Sequence, residues 1–119
     1  MKKRKNARLK RKNEFRYHNV IVHSRNGRTR KIKHPSYIFL EKGNMYIFVT
    51  ITHSSVINDL KIIKLNKNPN PKDKRDSYVV LVIQTDIKSS FGVRHANWKI
   101  DVRDEELIRG FYNTEKDKK

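Results

Sequence analysis

The sequence predicts a mainly β domain, a small and strongly bent antiparallel sheet or barrel, with one short C-terminal helix and a basic, flexible N-terminal arm. Three observations predict it. Short runs rich in β-branched and aromatic residues recur between turn formers from residue 19 to residue 85. A single segment, near residues 102–109, carries helix-capping chemistry. The chain has 119 residues, of which 35% are hydrophobic, enough for one small core.

Residues 1–16 read as the arm. Their opening, "MKKRKNARLKRKN", is almost wholly basic or polar and has no apolar face to bury. The domain proper spans residues 17–113. Its first strand lies in "YHNVIVHS", and Asn26-Gly27 then marks either a tight hairpin turn or a mobile basic loop reaching Lys33. Tyr37–Glu41 and Met45–Thr52 form a second hairpin around Lys42-Gly43-Asn44. In its longer strand Ile47, Val49 and Ile51 share one face, and Tyr46, Phe48, Thr50 and Thr52 the other. Both faces are apolar near the centre, which places this strand inside the sheet.

"DLKIIKL", residues 59–65, is a further short strand. "NKNPNPKDKRD", residues 66–76, is a loop by its prolines and turn formers. "SYVVLVIQT", residues 77–85, is the most hydrophobic strand, and residues 86–97 read as irregular. Asp101 caps a helix whose first turn holds Asp104, Glu105 and Glu106, with Leu107 and Ile108 facing inward and Gly110 as a stop. Residues 114–119 form a frayed tail.

Charge narrows the function. Lys and Arg number 29 against 12 Asp and Glu. Residues 1–33 alone hold fourteen of these bases and one acid, Glu14. Such a field attracts polyanions, above all phosphate backbones. The longest apolar run is six residues, Tyr78 to Ile83, against about 20 for a membrane span. No apolar stretch follows the basic N-terminus, so it does not read as a secretory signal. There is no cysteine, which removes disulfides and thiolate metal sites and suits the cytoplasm. The five histidines show no zinc-ligand spacing, and no phosphate-binding glycine motif is present. No cofactor and no metal is expected.

The order of parts resembles the MazF/PemK family of small toxin ribonucleases. Asn19–His23 resembles that family's first strand and Ser24–Lys33 its basic loop. His34-Pro35-Ser36-Tyr37-Ile38-Phe39-Leu40 is similar to its proline-led strand, although His34 stands where the family has arginine. Thr50-Ile51-Thr52-His53-Ser54 resembles its Thr/Ser strand end. Leu60–Leu65, Tyr78–Gln84 and Val102–Phe111 resemble the next two strands and the final helix. The resemblance covers residues 19–112 in pattern and order. It implies an SH3-like barrel and a metal-independent endoribonuclease that binds RNA. An acidic antitoxin is the partner it implies, with a second copy of the chain also expected. RelE-like and barnase-like ribonucleases resemble the chain more loosely, through a bent sheet with His, Arg and Ser.

Metal-free RNA cleavage needs proton transfers at the 2′- and 5′-oxygens, positive charge beside the phosphorane, and a groove for the strand. Histidine titrates near working pH, and arginine donates two hydrogen bonds to one phosphate. If residues 37–51 pair as a hairpin, His34 and the Thr52-His53-Ser54 end meet at its open mouth. His34 and His53 are then the proton-transfer residues, Thr52 and Ser54 orient the 2′-hydroxyl or the phosphate, and Arg30 or Arg75 stabilises charge. Each of these also has a plainer reading: His34-Pro35 as a turn, Thr52–Ser54 as a loop entry, Arg75 as a solvated loop charge. Arg25, Arg28, Arg30, Lys31 and Lys33 form the nucleic-acid grip, for RNA or DNA. Tyr37, Tyr46, Phe48 and Trp98 read first as core and second as rings on which bases stack. The rival function is a non-catalytic nucleic-acid-binding module, associated with a ribosome or a mobile element.

Overall fold

The computed structural model describes residues 8–23, 26–56 and 59–117. It is mainly β, as the sequence predicts. The strands are β1 (Leu9–His23), β2 (Thr29–Lys42), β3 (Met45–Thr52), β4 (Ile62–Lys64), β5 (Tyr78–Ile87) and β6 (Phe91–Arg94), followed by helix α1 (Val102–Lys116). They form one antiparallel sheet in the order β4-β5-β3-β2-β1-β6. As expected, β3 is central. The two edges, β4 and β6, are not paired with each other, so the sheet is open and the barrel does not close.

It is nevertheless strongly curled. β5 and β6 lie four places apart in the sheet, about 19 Å if it were flat. A single 3₁₀ turn, Lys88–Ser90, joins them, and the four steps from Ile87 to Phe91 reach about 14 Å at most. Curling is therefore obligatory. The bend is built from irregularities at mid-strand, between Arg11 and Glu14, between Ile38 and Leu40, and between Phe48 and Thr50. Helix residue Arg109 serves the carbonyls at two of these breaks: Nη1 donates to Phe39 O at 2.9 Å and Nη2 to Lys12 O at 2.7 Å. The His18 imidazole then ties β1 to β5, 2.8 Å from Asp86 Oδ2, between the rings of Phe48 and Phe91. That hydrogen bond is the main reason the Asp86 carboxyl sits below the usual carboxylate range.

The core follows the alternation. Phe15, Tyr37, Phe39, Ile47, Val49, Ile51, Val79 and Leu81 point to the face covered by α1, where Ile108 is fully buried. Ile38, Tyr46, Phe48 and Phe91 form a smaller cluster on the other face.

Three expectations need correction. Residues 9–16, expected within the flexible arm, are the first half of β1. Phe15 is buried in the core, and Glu14 neutralises its neighbours: Lys12 Nζ lies 3.1 Å and Arg16 Nε 2.5 Å from its carboxylate oxygens. One buried aromatic and one paired acid suffice to hold a basic segment in a sheet. Second, residues 86–97 are not wholly irregular, because Phe91–Arg94 adds the edge strand β6. Third, α1 passes Gly110 and includes residues 114–116 of the expected tail. Asp101 does cap it, accepting from Arg103 N at 2.9 Å, but Leu107 is partly exposed and only Ile108 turns inward.

Gly110 thus sits inside a helix with open space where a Cβ would stand. Gly110→Ala is expected to stabilise the fold by about 0.5–1 kcal/mol, read as a higher urea midpoint with an unchanged slope. A fall in the midpoint would contradict this account of the helix.

Candidate active site

The site forms where the β1–β2 pair outgrows the sheet. β3 joins β2 only from Ser36 onward, and β6 joins β1 only at Arg16 and His18. From Asn19↔Lys33 to His23↔Thr29 the two strands continue as a ribbon with no third strand beside it among the described residues. Gly27, at φ 81°, supplies the left-handed position of the turn. The hairpin alternative for Asn26-Gly27 is therefore the one adopted. No acid occurs from residue 15 to residue 40, so Lys and Arg are the only permanently charged residues of the ribbon, all on its turn and its β2 half. Lys31 and Lys33 are exposed on β2, and Arg28 is exposed at the turn. Arg25 lies outside the described residues, as does the side chain of Arg30.

His34 stands at the foot of the ribbon, opposite His18 on β1. Pro35 follows it at the point where β2 has not yet met β3, so its missing N–H leaves no gap in the β2–β3 ladder. The His34 ring is exposed and has no hydrogen-bond partner among the described residues. His53 follows the last residue of β3. The two histidines line one cleft of about 190 Å³, together with Thr52, as expected from the open mouth of the hairpin.

The opposite wall comes from the loop between β4 and β5. Its Asn and Asp side chains fold it: Asn68 Oδ1 accepts from Asn70 N at 2.9 Å, Asn70 Oδ1 from Lys72 N at 3.0 Å, and Asp73 Oδ1 from Arg75 N at 3.0 Å. Asn68, Asn70, Asp73 and Ser77 thereby reach the cleft, and Trp98 closes it. The sequence reading missed the first four as site residues. For Asn68, Asn70 and Asp73 the signal was the closely spaced Asx-turn residues of "NKNPNPKDKRD", which mark a shaped loop rather than a slack one; Ser77 carried none.

His53 is already engaged. Its Nδ1 lies 2.9 Å from Asp76 O and its Nε2 3.2 Å from Asp73 Oδ2. Arg75 is held as well: Nε lies 3.0 Å from Asp73 Oδ1 and Nη2 2.8 Å from Oδ2. This guanidinium is the leading reason that the Asp73 carboxyl is pushed far below the usual carboxylate range. Arg75 itself is not a wall of the cleft and meets it only through Asp73. Ser54 is not a wall either, since its hydroxyl donates to Val56 O at 2.8 Å. Thr52 Oγ1 accepts from Ser54 N at 3.1 Å and keeps its own proton to donate. Ser77, His53 and Asp73 share the cleft, but Ser77 Oγ has no hydrogen-bond partner among the described residues, so the three are not assembled as a serine-nucleophile triad.

Among the described residues no group of three or more His, Asp or Glu could hold a metal ion. A cavity of about 690 Å³ lies by Leu9, Lys42 and Tyr112, toward the opposite end of the β2–β3 hairpin, and carries no histidine. No protein-family model, no curated protein and no solved structure matches the chain.

Proposed function

We propose that this protein binds RNA along its cationic ribbon and cleaves it, without a metal, in the cleft between His34 and His53. One observation carries the reading: two histidines, one on β2 and one just past the end of β3, line a single cleft at the foot of a ribbon without acids. The resemblance to MazF/PemK toxins supplies the reaction class, and the open, curled sheet with a terminal helix suits the SH3-like barrel of that family. In this mechanism His34, whose ring has no hydrogen-bond partner among the described residues, removes the proton of the 2′-hydroxyl. The freed oxygen attacks the adjacent phosphorus and forms a 2′,3′-cyclic phosphate, while the His53 ring, in its protonated form, gives a proton to the 5′-oxygen as the P–O5′ bond breaks. The His53 ring is oriented by its Nδ1 contact with Asp76 O at 2.9 Å, with Nε2 3.2 Å from Asp73 Oδ2. Thr52 donates to the phosphate or to the 2′-oxygen.

An acidic antitoxin suits the same ribbon, since carboxylates can occupy the places of phosphates. A second copy of the chain is a further partner, and the cytoplasm is the compartment that suits RNA cleavage. No helix among the described residues is long and apolar enough to cross a membrane.

A second reading is a non-catalytic RNA-binding module. It is favoured by the contact of His53 Nδ1 with Asp76 O and by the bond between Arg75 and Asp73, which tie up one of the two cleft imidazoles and the nearby guanidinium. Labelled single-stranded RNA incubated with the protein in EDTA separates the two: the enzyme yields fragments, and the module returns the strand intact. Either reading needs the ribbon. Lys31→Ala with Lys33→Ala is expected to lower the slope of log affinity against log salt by about 1.4, two phosphate contacts at about 0.7 each. An unchanged slope would move the RNA path off the ribbon.

A further inference from the structure

Burying a polar atom without a partner costs about 1–3 kcal/mol, so such atoms point to something that satisfies them. Among the described residues only Asn19 Oδ1, Ser77 Oγ and His95 Nε2 are in this condition. Two of the three belong to residues that flank Trp98. Ser77, 2% exposed, lines the cleft described above. His95 lines a second pocket of about 430 Å³. The pockets share two walls, Trp98 and Asn70.

Their linings differ in chemistry. The smaller presents the hydroxyls of Ser77 and Thr52 and the amides of Asn68 and Asn70 beside Pro35 and Ile51. The larger is aromatic: the His95 ring stacks on Trp98 at 4.4 Å and 18°, and Tyr17 meets His95 edge to face at 4.7 Å. Lys72 and Arg94 stand on its walls. Burial lowers the pKa of His95, so the ring stays neutral at physiological pH, with one nitrogen to donate and one to accept.

We infer that Trp98 divides a two-part site for one nucleotide, with the base in the larger pocket and its ribose phosphate in the smaller. This rests on the proposed RNA reading and adds a base-recognition site to it. A flat, uncharged ring with hydrogen-bonding edges suits the aromatic pocket, where His95 Nε2 reads an edge and Lys72 or Arg94 meets the neighbouring phosphate. A ribose suits the hydroxyls and amides around Ser77, and its phosphate then lies beside His34 and His53.

Trp98 is the only tryptophan in the chain, so its fluorescence reports the site directly. The full chain is titrated with the four ribonucleoside 3′-monophosphates, with ribose 5-phosphate and with inorganic phosphate. RNA retardation is measured on the same preparation. Saturable quenching by at least one nucleotide, stronger than by ribose 5-phosphate, is expected. Ser77→Ala should raise that Kd about tenfold and His95→Phe, which keeps the ring, about fivefold. Urea midpoints establish that each variant is folded. RNA retardation without nucleotide quenching, or quenching indifferent to both variants, overturns the two-part site and leaves the RNA reading standing. Loss of both retardation and quenching overturns both. Quenching by inorganic phosphate as strong as by nucleotides also overturns the site, because it leaves the base with no role.

Discussion

His34→Ala is expected to slow RNA cleavage by at least about a hundredfold while leaving RNA affinity within about twofold. The size follows from the role: a positioned general base contributes about 10²–10⁴ in rate. The unchanged affinity follows from the geometry, since the cationic grip lies further along the ribbon at Arg28, Lys31 and Lys33. His34 is exposed and its ring is unpaired among the described residues, so removing it disturbs no internal bond. The comparison with His53→Ala is informative. That change also frees the Asp76 carbonyl and the Asp73 carboxylate, so it should lower both the rate and the stability of the β4–β5 loop. A gel time course at saturating RNA measures the first effect. Cleavage by His34→Ala at the wild-type rate would remove this histidine from the chemistry.

Asp104→Ala is expected to destabilise the fold by about 3 kcal/mol. The carboxylate is 2% exposed and serves three donors. Asn66 N reaches both oxygens, at 2.8 and 3.0 Å, Asn66 Nδ2 lies at 2.7 Å and Lys67 N at 3.3 Å. Two of these donors are backbone N–H groups that leave β4 for the loop, so Asp104 fastens the helix to the segment that walls the cleft. Hydrogen bonds to a charged group are worth about 1.5–3 kcal/mol, and alanine leaves buried donors unpaired at a further cost. The sum is reduced by water entering the gap. Asp104→Asn, which keeps one acceptor, should cost about half as much. Urea unfolding followed by Trp98 fluorescence measures both. A loss below about 1 kcal/mol would show that the loop is held by its own turns.

Much of the fold is legible because local and global signals agree. The alternation of Ile47, Val49 and Ile51 against Tyr46 and Phe48 fixes β3 as a two-faced central strand, and the Gly43 turn sets its pairing with β2. Asp101 announces α1. The failures share a cause, which is tertiary contact overriding local composition. Leu9 to Arg16 reads as a solvated arm because its charges dominate, and only the sheet reveals that Glu14 and Phe15 are buried there. β6 has one inward residue, Phe91, too few for a period. Gly110 continues a helix because Ile108, Phe111 and Tyr112 pack on the core.

The candidate site divides in the same way. Hairpin geometry brings His34, Thr52 and His53 to one mouth, and that much follows from the order of residues. The partners of His53 do not. They depend on the path of the 66–77 loop, which Asn68, Asn70 and Asp73 shape through their own hydrogen bonds. Arg75 reads as a phosphate ligand by type, yet the acid two residues before it holds it in a two-point ion pair.

The most direct test uses one RNA oligonucleotide and its counterpart carrying 2′-deoxyribose at the cleaved position, each incubated with the wild-type protein in EDTA. The account predicts that the ribose strand is cut to a 2′,3′-cyclic phosphate end and that the deoxy counterpart stays whole at that position. Equal cutting of both strands, or no cutting of either, would contradict it.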